Sequence, residues 1–218
     1  MLNETKGNMY SFVTHTWNPI KGKCFHDCVY CYMKRFPQNP IRLDTEDLKT
    51  NLGKDNFIFV GSSTDMFAPD VPITWIEKVF RYCRSYPENK YLFQSKNPQR
   101  MYGLRQHFPK NVVVGTTIES NRQYKISKAP VVLERARVMG RFKLAGYATM
   151  VTIEPILDFD RELVQLITMC RPDWVNIGAD SCGHKLLEPS KDKIVELIEE
   201  LEKVTDVKIK TNLRRLLR

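Results

Sequence analysis

Three cysteines lie within one short segment of the chain and are spaced C-x3-C-x2-C. They are Cys24, Cys28 and Cys31, with Tyr30 directly before the last of them. Cysteine thiolates hold iron–sulfur clusters, and a loop with this spacing can bind three corners of a cubane [4Fe-4S] cluster. The fourth iron then has no protein ligand and can bind a substrate. The segment therefore predicts a cluster site with one open iron.

Two other interpretations of these cysteines are weighed against the cluster. A structural zinc site needs four nitrogen or sulfur ligands, of which His15 or His26 could supply the fourth. Zinc modules favour paired C-x2-C units, however, and the chain has no second pair. Disulfides are a weaker alternative, because six cysteines in 218 residues do not make a dense framework. Cys83 and Cys170 lie in periodic segments, where small buried apolar side chains are expected.

Length and composition predict one compact enzyme domain. The chain has 218 residues, of which 42% are hydrophobic and 27% charged, so it can bury a sizeable core. Its start has no apolar run like that of a signal peptide, and no stretch approaches the roughly 20 apolar residues of a membrane span. We therefore expect a cytoplasmic monomer with no membrane attachment.

The formal net charge of +9, from 34 Lys and Arg against 25 Asp and Glu, favours a polyanionic partner. The densest basic run is the tail of the chain from Lys208 to Arg218, where leucines and arginines interleave. We interpret residues 206–218 as a basic amphipathic helix with a solvated face, with a nucleic-acid contact as the alternative. A short strand over 207–210 is a second alternative for the start of this tail.

Segments typical of strands and of helices alternate along the chain without a linker, which indicates an α/β fold with a parallel sheet. The predicted strands are Tyr10–Thr16, Phe57–Val60, Tyr91–Ser95, Asn111–Thr116, Met150–Pro155 and Trp174–Gly178. The predicted helices begin near Tyr32 and cover Ile73–Tyr86, Pro98–His107, Val131–Lys143, Arg161–Cys170 and Ser190–Val204. Six strands, each followed by a helix, predict a single-domain partial (β/α)6 barrel, TIM-like and open on one side.

In such a barrel the catalytic groups gather at the C-terminal ends of the strands. The strand ends from the second strand onward all carry polar residues, namely Ser62, Ser63, Asp65, Ser95, Lys96, Thr116, Glu119, Glu154, Asp180 and Ser181. Helix N-caps also favour Ser, Thr and Asp, so capping is the alternative for any single one of them. As a convergent set they predict a binding site at one edge of the sheet.

Five further segments accompany the cysteines: Thr16–Pro19, Gly61–Phe67, Ser95–Pro98, Gly115–Glu119 and Glu154–Ile156. Together they resemble successive motifs of a phage-associated family of short radical S-adenosylmethionine (SAM) proteins, and the resemblance covers most of the chain. The segment 24–32 is also similar to the cluster loop of spore photoproduct lyase and of DNA-repair-photolyase-like proteins.

This resemblance implies that SAM chelates the open iron of the cluster and is cleaved reductively to methionine and a 5′-deoxyadenosyl radical. The radical would then take a hydrogen atom from a bound substrate. The implied cofactors are a [4Fe-4S] cluster and SAM, and the implied protein partner is an electron donor of the flavodoxin or ferredoxin type.

The chemical groups of SAM suggest roles for the residues that follow the second predicted strand. Gly61 allows the backbone to approach the methionine moiety closely, and Ser62 and Ser63 can hydrogen-bond to its ammonium or carboxylate. Asp65 is the acid nearest to this glycine and is expected at the same site.

The residues that follow the third and fourth predicted strands are also expected to bind SAM. Lys96, beside Ser95, is expected to pair with the carboxylate of SAM, and Thr116 or Glu119 with its ribose hydroxyls or amino group. A solvent-exposed salt bridge is the alternative for Lys96 and Glu119. Tyr30 is expected to pack on the cluster or to reach the adenine, and a mere packing role is its alternative.

Two residues are candidates for a part in catalysis. Glu154 ends an apolar strand, so its carboxylate is expected in the barrel mouth, where a cation or a hydroxyl must meet it. Cys182 follows the sixth strand in a polar loop. Spore photoproduct lyase uses a cysteine to donate a hydrogen atom to the product radical, and the resemblance makes Cys182 a candidate for that role. An inert loop cysteine is the alternative.

The basic charge, the cluster loop and the phage-type resemblance favour a nucleic acid or nucleotide as substrate, for modification or for photoproduct-lyase-like repair. The sequence has no ladder of stacking aromatic residues and no second nucleic-acid module that would add support. A radical SAM enzyme acting on a peptide or small metabolite, and a non-catalytic metal-bound nucleic-acid-binding module, are the alternatives.

Overall fold

The computed structural model describes residues 1–218 and contains ten short strands and five α-helices, which alternate from the fifth strand onward. The strands are β1 (Leu2–Glu4), β2 (His15–Trp17), β3 (Ile20–Lys21), β4 (Arg42–Leu43), β5 (Phe57–Val60), β6 (Lys90–Gln94), β7 (Val112–Thr117), β8 (Ala148–Ile153), β9 (Trp174–Ile177) and β10 (Asp206–Ile209). The α-helices are α1 (Ile73–Arg84), α2 (Pro98–Gly103), α3 (Val132–Leu144), α4 (Leu163–Cys170) and α5 (Lys191–Glu202). Short 3₁₀ helices cover Tyr32–Arg35, Asp47–Lys49, Arg105–His107 and Thr211–Arg215.

Eight of the strands form one sheet in the order β1-β2-β5-β6-β7-β8-β9-β10. All neighbours in this sheet pair in parallel except β1, which pairs antiparallel with β2. The strands β3 and β4 form a separate antiparallel pair. Because β1 and β10 are free edges, the sheet is an open barrel with a helix after most of its parallel strands. The predicted α/β partial barrel is confirmed.

The two faces of the sheet bury different sets of side chains. Val112 and Val114 of β7 belong to the large core between the sheet and the helices, whereas Val113 belongs to a smaller cluster on the opposite face with Phe59 and Leu92. This division follows from the alternation of side chains along a strand. A residue's position in its strand therefore decides whether it faces the helices or the barrel interior.

Local sequence explains how the strand ends pass into helices. The side chain of Asn97 accepts a hydrogen bond from the backbone N–H of Arg100 at 3.3 Å, and Pro98 occupies the first position of α2. Both features favour a helix start. At α5 the hydroxyl of Ser190 accepts from the backbone N–H of Lys193 at 3.4 Å. These caps allow α2 and α5 to start soon after polar loops.

The first predicted strand, Tyr10–Thr16, is too long and starts too early, since β2 covers only His15–Trp17. Tyr10 and Val13 are buried, but they form a turn closed by the Val13 N–H and the Tyr10 carbonyl at 3.0 Å. Their apolar side chains pack on the interior face of the sheet. The apolar pattern that suggested a strand thus reflects a segment that fills the barrel from inside.

The predicted helix over 206–218 is also corrected. The segment Asp206–Ile209 is the edge strand β10, paired with β9, and Thr211–Arg215 forms only a 3₁₀ helix. The candidate seventh strand is therefore present, and pairing with the sheet outweighs the weak helical pattern of the tail. The helix expected near Tyr32 is likewise a single 3₁₀ segment.

Cys83 and Cys170 are fully buried in the main core, as predicted. No helix of the fold combines the length and the apolar character needed to cross a bilayer.

Candidate functional site

A cavity of about 510 Å³ opens at the carboxyl ends of the parallel strands. Residues that follow five different strands contribute to its wall: Gly61, Ser95, Glu154, Ala179 and Lys210. Cavities of several hundred Å³ are typical of small-molecule sites. The parallel sheet therefore brings its strand ends around one space large enough for a cofactor.

All three cysteines of the C-x3-C-x2-C segment line this cavity with partly exposed thiols, and none forms a disulfide. Two tight turns shape the loop, closed by the Asp27 N–H to the Cys24 carbonyl at 3.2 Å and the Cys31 N–H to the Cys28 carbonyl at 3.1 Å. Burial raises the pKa of the Cys24 thiol to about 12 and also raises that of Cys31. Desolvation disfavours a thiolate unless a cation compensates it.

The donor set fits an iron–sulfur cluster, because three unpaired thiols face one cavity and leave space beside them. No group of three or more His, Cys, Asp or Glu side chains is arranged to hold a single metal ion. His15, weighed as a zinc ligand, does not line the cavity and lies with Nδ1 2.9 Å from the Thr14 hydroxyl. His26 is buried with Nε2 3.0 Å from a carboxylate oxygen of Asp65.

Lys96 connects the cysteine loop to a buried cluster of charges. Its Nζ lies 3.2 Å from Sγ of Cys28, 2.6 Å from Oε1 of Glu119 and 4.3 Å from the centre of the Tyr30 ring. The hydroxyl of Tyr30 donates to the same carboxylate. The other oxygen of Glu119 accepts from Nη1 of Arg135 at 3.0 Å. One carboxylate thus orders two side chains that line the cavity.

Glu119 is ionised in this arrangement. Burial acts to raise the pKa of its carboxyl group, but the charges of Lys96 and Arg135 together with the hydrogen bond from Lys96 outweigh burial, so the pKa is lowered. Glu119 is 2% exposed and Arg135 is 4% exposed. The surface salt bridge considered for Lys96 and Glu119 is therefore a buried one, and it holds the ammonium of Lys96 beside Cys28.

Asp65 lies in the cavity wall with both carboxylate oxygens engaged by the protein. Oδ1 accepts from the backbone N–H of Phe67 at 2.9 Å. Oδ2 accepts from the Ser95 hydroxyl and from the Lys96 N–H, each at 2.9 Å. Asp65 and Ser95 therefore tie the end of β5 to the end of β6, and we assign them the role of positioning the loops that surround the cavity.

The segment after β5 has the conformation that only glycine adopts easily. Gly61 has φ of 78°, and a Cβ there would lie 3.1 Å from the Thr64 carbonyl oxygen. The side-chain oxygen of Asn18 accepts from the Ser62 hydroxyl at 3.2 Å and from the Ser63 N–H at 2.9 Å. Gly61, Ser62 and Ser63 were all predicted at the site, and all three line the cavity. The hydrogen bonds to Asn18, in the loop after β2, hold this segment in place.

The carboxylate of Glu154, at the end of a buried strand, is paired with a positively charged side chain, as expected. Its Oε2 lies 2.6 Å from Nζ of Lys210, and its Oε1 accepts from the side-chain amides of Asn8 at 2.8 Å and Asn212 at 2.9 Å. The approach depends on Gly178, where a Cβ would lie 2.8 Å from Oε1 of Glu154. The structure therefore builds a polar cluster at the end of the sheet opposite the cysteine loop.

Cys182 lines the cavity in a loop that Asp180 orders. The Cys182 N–H donates to Oδ1 of Asp180 at 3.0 Å, and Nδ1 of His184 lies 2.8 Å from the same oxygen. Burial acts to raise the pKa of Asp180, but the hydrogen bonds from His184 and Cys182 outweigh it and the pKa is lowered. The thiol of Cys182 is partly exposed, as a residue that acts on a bound substrate must be.

The placement of two predicted residues is corrected. Thr116 does not line the cavity, since it lies on the helix face of β7 and its hydroxyl donates to the Ser95 carbonyl at 2.7 Å. Its neighbour Thr117 lines the cavity instead, because alternate residues of a strand point to opposite faces. Glu119 also lies outside the cavity wall and acts on it through Tyr30 and Lys96.

The residues around Glu154 that contribute to the site and were not predicted are Lys210, Asn8 and Asn212. Lys210 belongs to the basic tail, where a solvated side chain was expected. The signal that points to it is the candidate strand over 207–210, which puts Lys210 at a strand end like the other cavity residues. Asn8 lies outside every regular element and Asn212 lies in the short 3₁₀ helix Thr211–Arg215, so no periodic pattern marks either residue.

Comparison with solved structures identifies spore photoproduct lyase as similar in fold. A mutant lyase with dinucleoside spore photoproduct has a TM-score of 0.62 at 12% identity, covering 91% of this chain and 63% of the lyase chain. A mutant lyase with bound AdoMet and the same dinucleoside has a TM-score of 0.57 at 12% identity, covering 91% and 64%. Streptococcus suis SuiB bound to S-adenosylmethionine has a TM-score of 0.61 at 10% identity, covering 89% and 49%.

At these identities the likeness is one of fold alone. This chain spans less than two thirds of the length of the lyase. The phage-associated family stays a prediction. No curated protein sequence matches this chain. One family model matches residues 8–206, and the chain therefore belongs to the family described as "Protein of unknown function (DUF5131)".

Proposed function

We propose that this protein is a radical SAM enzyme in which Cys24, Cys28 and Cys31 hold a [4Fe-4S] cluster and the adjoining cavity binds SAM. The observation that carries the proposal is that three unpaired thiols and the polar ends of the parallel strands line one cavity. The fold shared with two proteins whose structures contain SAM adds support. When bound, the cluster and SAM would supply reductive cleavage of SAM to a 5′-deoxyadenosyl radical.

The protein's own residues would bind and orient SAM. Lys96 holds its ammonium in the cavity wall beside Cys28, where it can also pair with a carboxylate of the cofactor. Glu119 holds Lys96 in place through the 2.6 Å contact between its Oε1 and Nζ of Lys96. Ser62 and Ser63 offer hydroxyl groups to the methionine end, and Gly61 keeps the backbone close.

The far end of the cavity would bind the substrate. The polar cluster around Glu154 presents a carboxylate and the ammonium of Lys210 within 2.6 Å of one another, together with two amides. Cys182 lines the same region with a thiol. We assign Cys182 as the candidate hydrogen-atom donor to the product radical. Cys182→Ala should then change the product, and unchanged rate and product would remove this assignment.

A second groove supports a nucleic acid or nucleotide as substrate. It has a volume of about 660 Å³, and it shares Asp180 and Ser181 with the cavity. Its basic lining residues are Lys185, Arg214, Arg215 and Arg218. Only Arg215 among these four is in an ion pair, with Glu188. Unpaired cations beside a cavity can bind phosphate groups and so guide a nucleotide towards it.

Anaerobic reconstitution tests the reaction class. The protein should contain iron and acid-labile sulfide, absorb broadly in the visible range and form 5′-deoxyadenosine from SAM with dithionite. Replacing each motif cysteine with alanine should abolish both cluster content and product. Cys170→Ala is the matched control, because this thiol is buried outside the cavity. A colourless protein, or motif variants with unchanged activity, would contradict the proposal.

The substrate is tested separately. Oligonucleotides or nucleotides should stimulate 5′-deoxyadenosine formation, and deuterium from a labelled substrate should appear in it. Arg214→Glu/Arg218→Glu should weaken oligonucleotide binding, and binding should fall with salt. Lys90→Glu is the control, since Lys90 lies at the opposite strand end. Stimulation only by cell extract depleted of nucleic acid would point to the peptide or small-metabolite alternative.

A further inference from the structure

A groove of about 550 Å³ lies between the start of α2 and one face of α3, in the helical layer of the fold. Residues 134, 137, 138 and 141 of α3 line it, which is the spacing of one helix face. The groove shares no lining residue with the cavity at the strand ends. It is therefore a separate space, large enough for a ligand of its own.

A buried arginine lines this groove and keeps one nitrogen without a partner. Nε of Arg135 donates to the Pro130 carbonyl at 2.7 Å. Its Nη1 donates to the Thr117 carbonyl at 2.8 Å and to Oε2 of Glu119 at 3.0 Å. Nη2 donates to no group of the protein, although a guanidinium offers five N–H donors. Because a buried donor without an acceptor is costly, an acceptor in the groove would be favourable here.

Two exposed arginines line the groove on the same face of α3. The side chains of Arg137 and Arg141 form no ion pair and donate no hydrogen bond within the protein. The guanidinium of Arg141 lies over the ring of Tyr102, with Cζ 4.4 Å from the ring centre. Cζ of Arg105 lies 4.0 Å from the same ring centre. A guanidinium that stacks on an aromatic ring is held in place while its in-plane N–H groups stay free to bind an anion.

The charges of the groove favour an anionic ligand. Its lining contains three arginines and one carboxylate, that of Glu134, which is exposed and in no ion pair. Glu119 balances the charge of Arg135 from the side of the sheet. The amide of Gln99 adds a further donor to the wall. Guanidinium groups bind phosphate oxygens with two parallel hydrogen bonds, so several of them around one groove suit a phosphate group.

We propose that the groove between α2 and α3 binds the phosphate group of a ligand that is distinct from SAM. The phosphate would accept hydrogen bonds from Nη2 of Arg135 and from the guanidinium groups of Arg137 and Arg141. Its bearer is a phosphorylated small molecule or the backbone of a nucleic acid, since both present the same chemistry to the groove. The site uses no cysteine and no residue of the cavity, so it does not depend on the proposed function.

Titration calorimetry of the full-length protein with inorganic pyrophosphate tests the proposal. Arg137→Gln/Arg141→Gln removes two guanidinium groups from the groove and should weaken binding by about ten-fold or more. Both residues are exposed, so the fold should tolerate the change. Lys78→Gln/Arg81→Gln is the matched control, because it removes two exposed cations from one face of α1 that are in no ion pair and do not line the groove.

A second variant should change the affinity in the opposite direction. Glu134→Gln removes the one carboxylate that lines the groove and nearly keeps the size of the side chain. It should tighten pyrophosphate binding by about two-fold or more, because like charges repel. A variant that folded poorly would lose affinity, so tighter binding cannot arise from damage to the fold. Unchanged affinity would contradict a phosphate bound beside Glu134.

Binding of a single-stranded oligonucleotide identifies the bearer of the phosphate. These titrations use the Arg214→Glu/Arg218→Glu background, which removes cations of the other basic groove. Oligonucleotide binding that weakens with Arg137→Gln/Arg141→Gln would support a nucleic-acid backbone. Weakening for pyrophosphate alone would support a phosphorylated small molecule.

Two results would overturn the proposal. One is a wild-type protein that binds neither pyrophosphate nor the oligonucleotide. The other is an Arg137→Gln/Arg141→Gln protein that binds both probes as tightly as the Lys78→Gln/Arg81→Gln control does. A failure to form 5′-deoxyadenosine would refute the proposed function alone, because these titrations need neither SAM nor a cluster.

Discussion

Replacing Glu119 with glutamine should destabilise the fold far more than replacing an exposed glutamate. Glu119 is paired with Lys96 at 2.6 Å and with Arg135 at 3.0 Å, and the side chains of these partners are only 12% and 5% exposed. Removing one partner of a buried ion pair costs about 3–5 kcal/mol, because a buried charge is left uncompensated. The glutamine amide can still accept one hydrogen bond, and Lys96 keeps some contact with water. We therefore expect a loss of about 3 kcal/mol in the free energy of unfolding.

Urea denaturation of the cluster-free protein under reducing conditions measures this loss, with circular dichroism as the signal. Glu46→Gln is the matched control, because Glu46 pairs with Lys49 at 2.8 Å while both side chains are more than two-thirds exposed. Exposed pairs of this kind contribute at most about 1 kcal/mol. If Glu119→Gln and Glu46→Gln lowered stability equally, or if the former changed it by less than about 1 kcal/mol, the buried network would not be the structural support we infer.

Three further outcomes follow from the same geometry. Because folding lowers the pKa of Glu119, its ionised form stabilises the fold above the usual carboxyl pKa of about 4.5, and this stabilisation is lost as the pH falls through the lowered pKa. Wild type should therefore lose more stability than Glu119→Gln on acidification, as measured by urea unfolding at each pH. Gly178→Ala should impair SAM-dependent product formation, because its Cβ would lie 2.8 Å from Oε1 of Glu154, while Gly103→Ala has no atom within 4 Å to disturb and should behave as wild type. A double-mutant cycle of Lys210→Met and Glu154→Gln should give a coupling of about 1–3 kcal/mol in unfolding free energy, and additive effects would show that the 2.6 Å contact does not stabilise the fold.

Most of the regular structure was predictable because buried parallel strands have a distinctive pattern. Phe57–Val60 is a continuous apolar run that ends at a glycine, and β5 has those bounds. The pattern was misleading where apolar residues are buried without strand pairing, as in the turn at Tyr10 and Val13. It was too weak in the tail, where the pairing of β10 with β9 decides the conformation.

The site was predictable as a set of strand ends and less so as individual contacts. Lys96, Asp65 and Glu154 were expected at the barrel mouth, and all three line the cavity. Thr116 was predicted to line the cavity, but its neighbour Thr117 does so, because a shift of one residue along a strand exchanges the two faces of the sheet. An estimate of a strand end that is uncertain by one residue cannot separate such neighbours.

By itself, the sequence predicted a cysteine loop suited to an iron–sulfur cluster and the edge of the sheet where the site would lie. The spacing of three thiols and the polar ends of apolar runs are local properties, and local patterns encode them directly. Only the tertiary structure decided the partners: Arg135 with Glu119, and Lys210 with Glu154. These pairs join residues that are mostly distant in sequence, and their distances depend on how the whole sheet curves and packs.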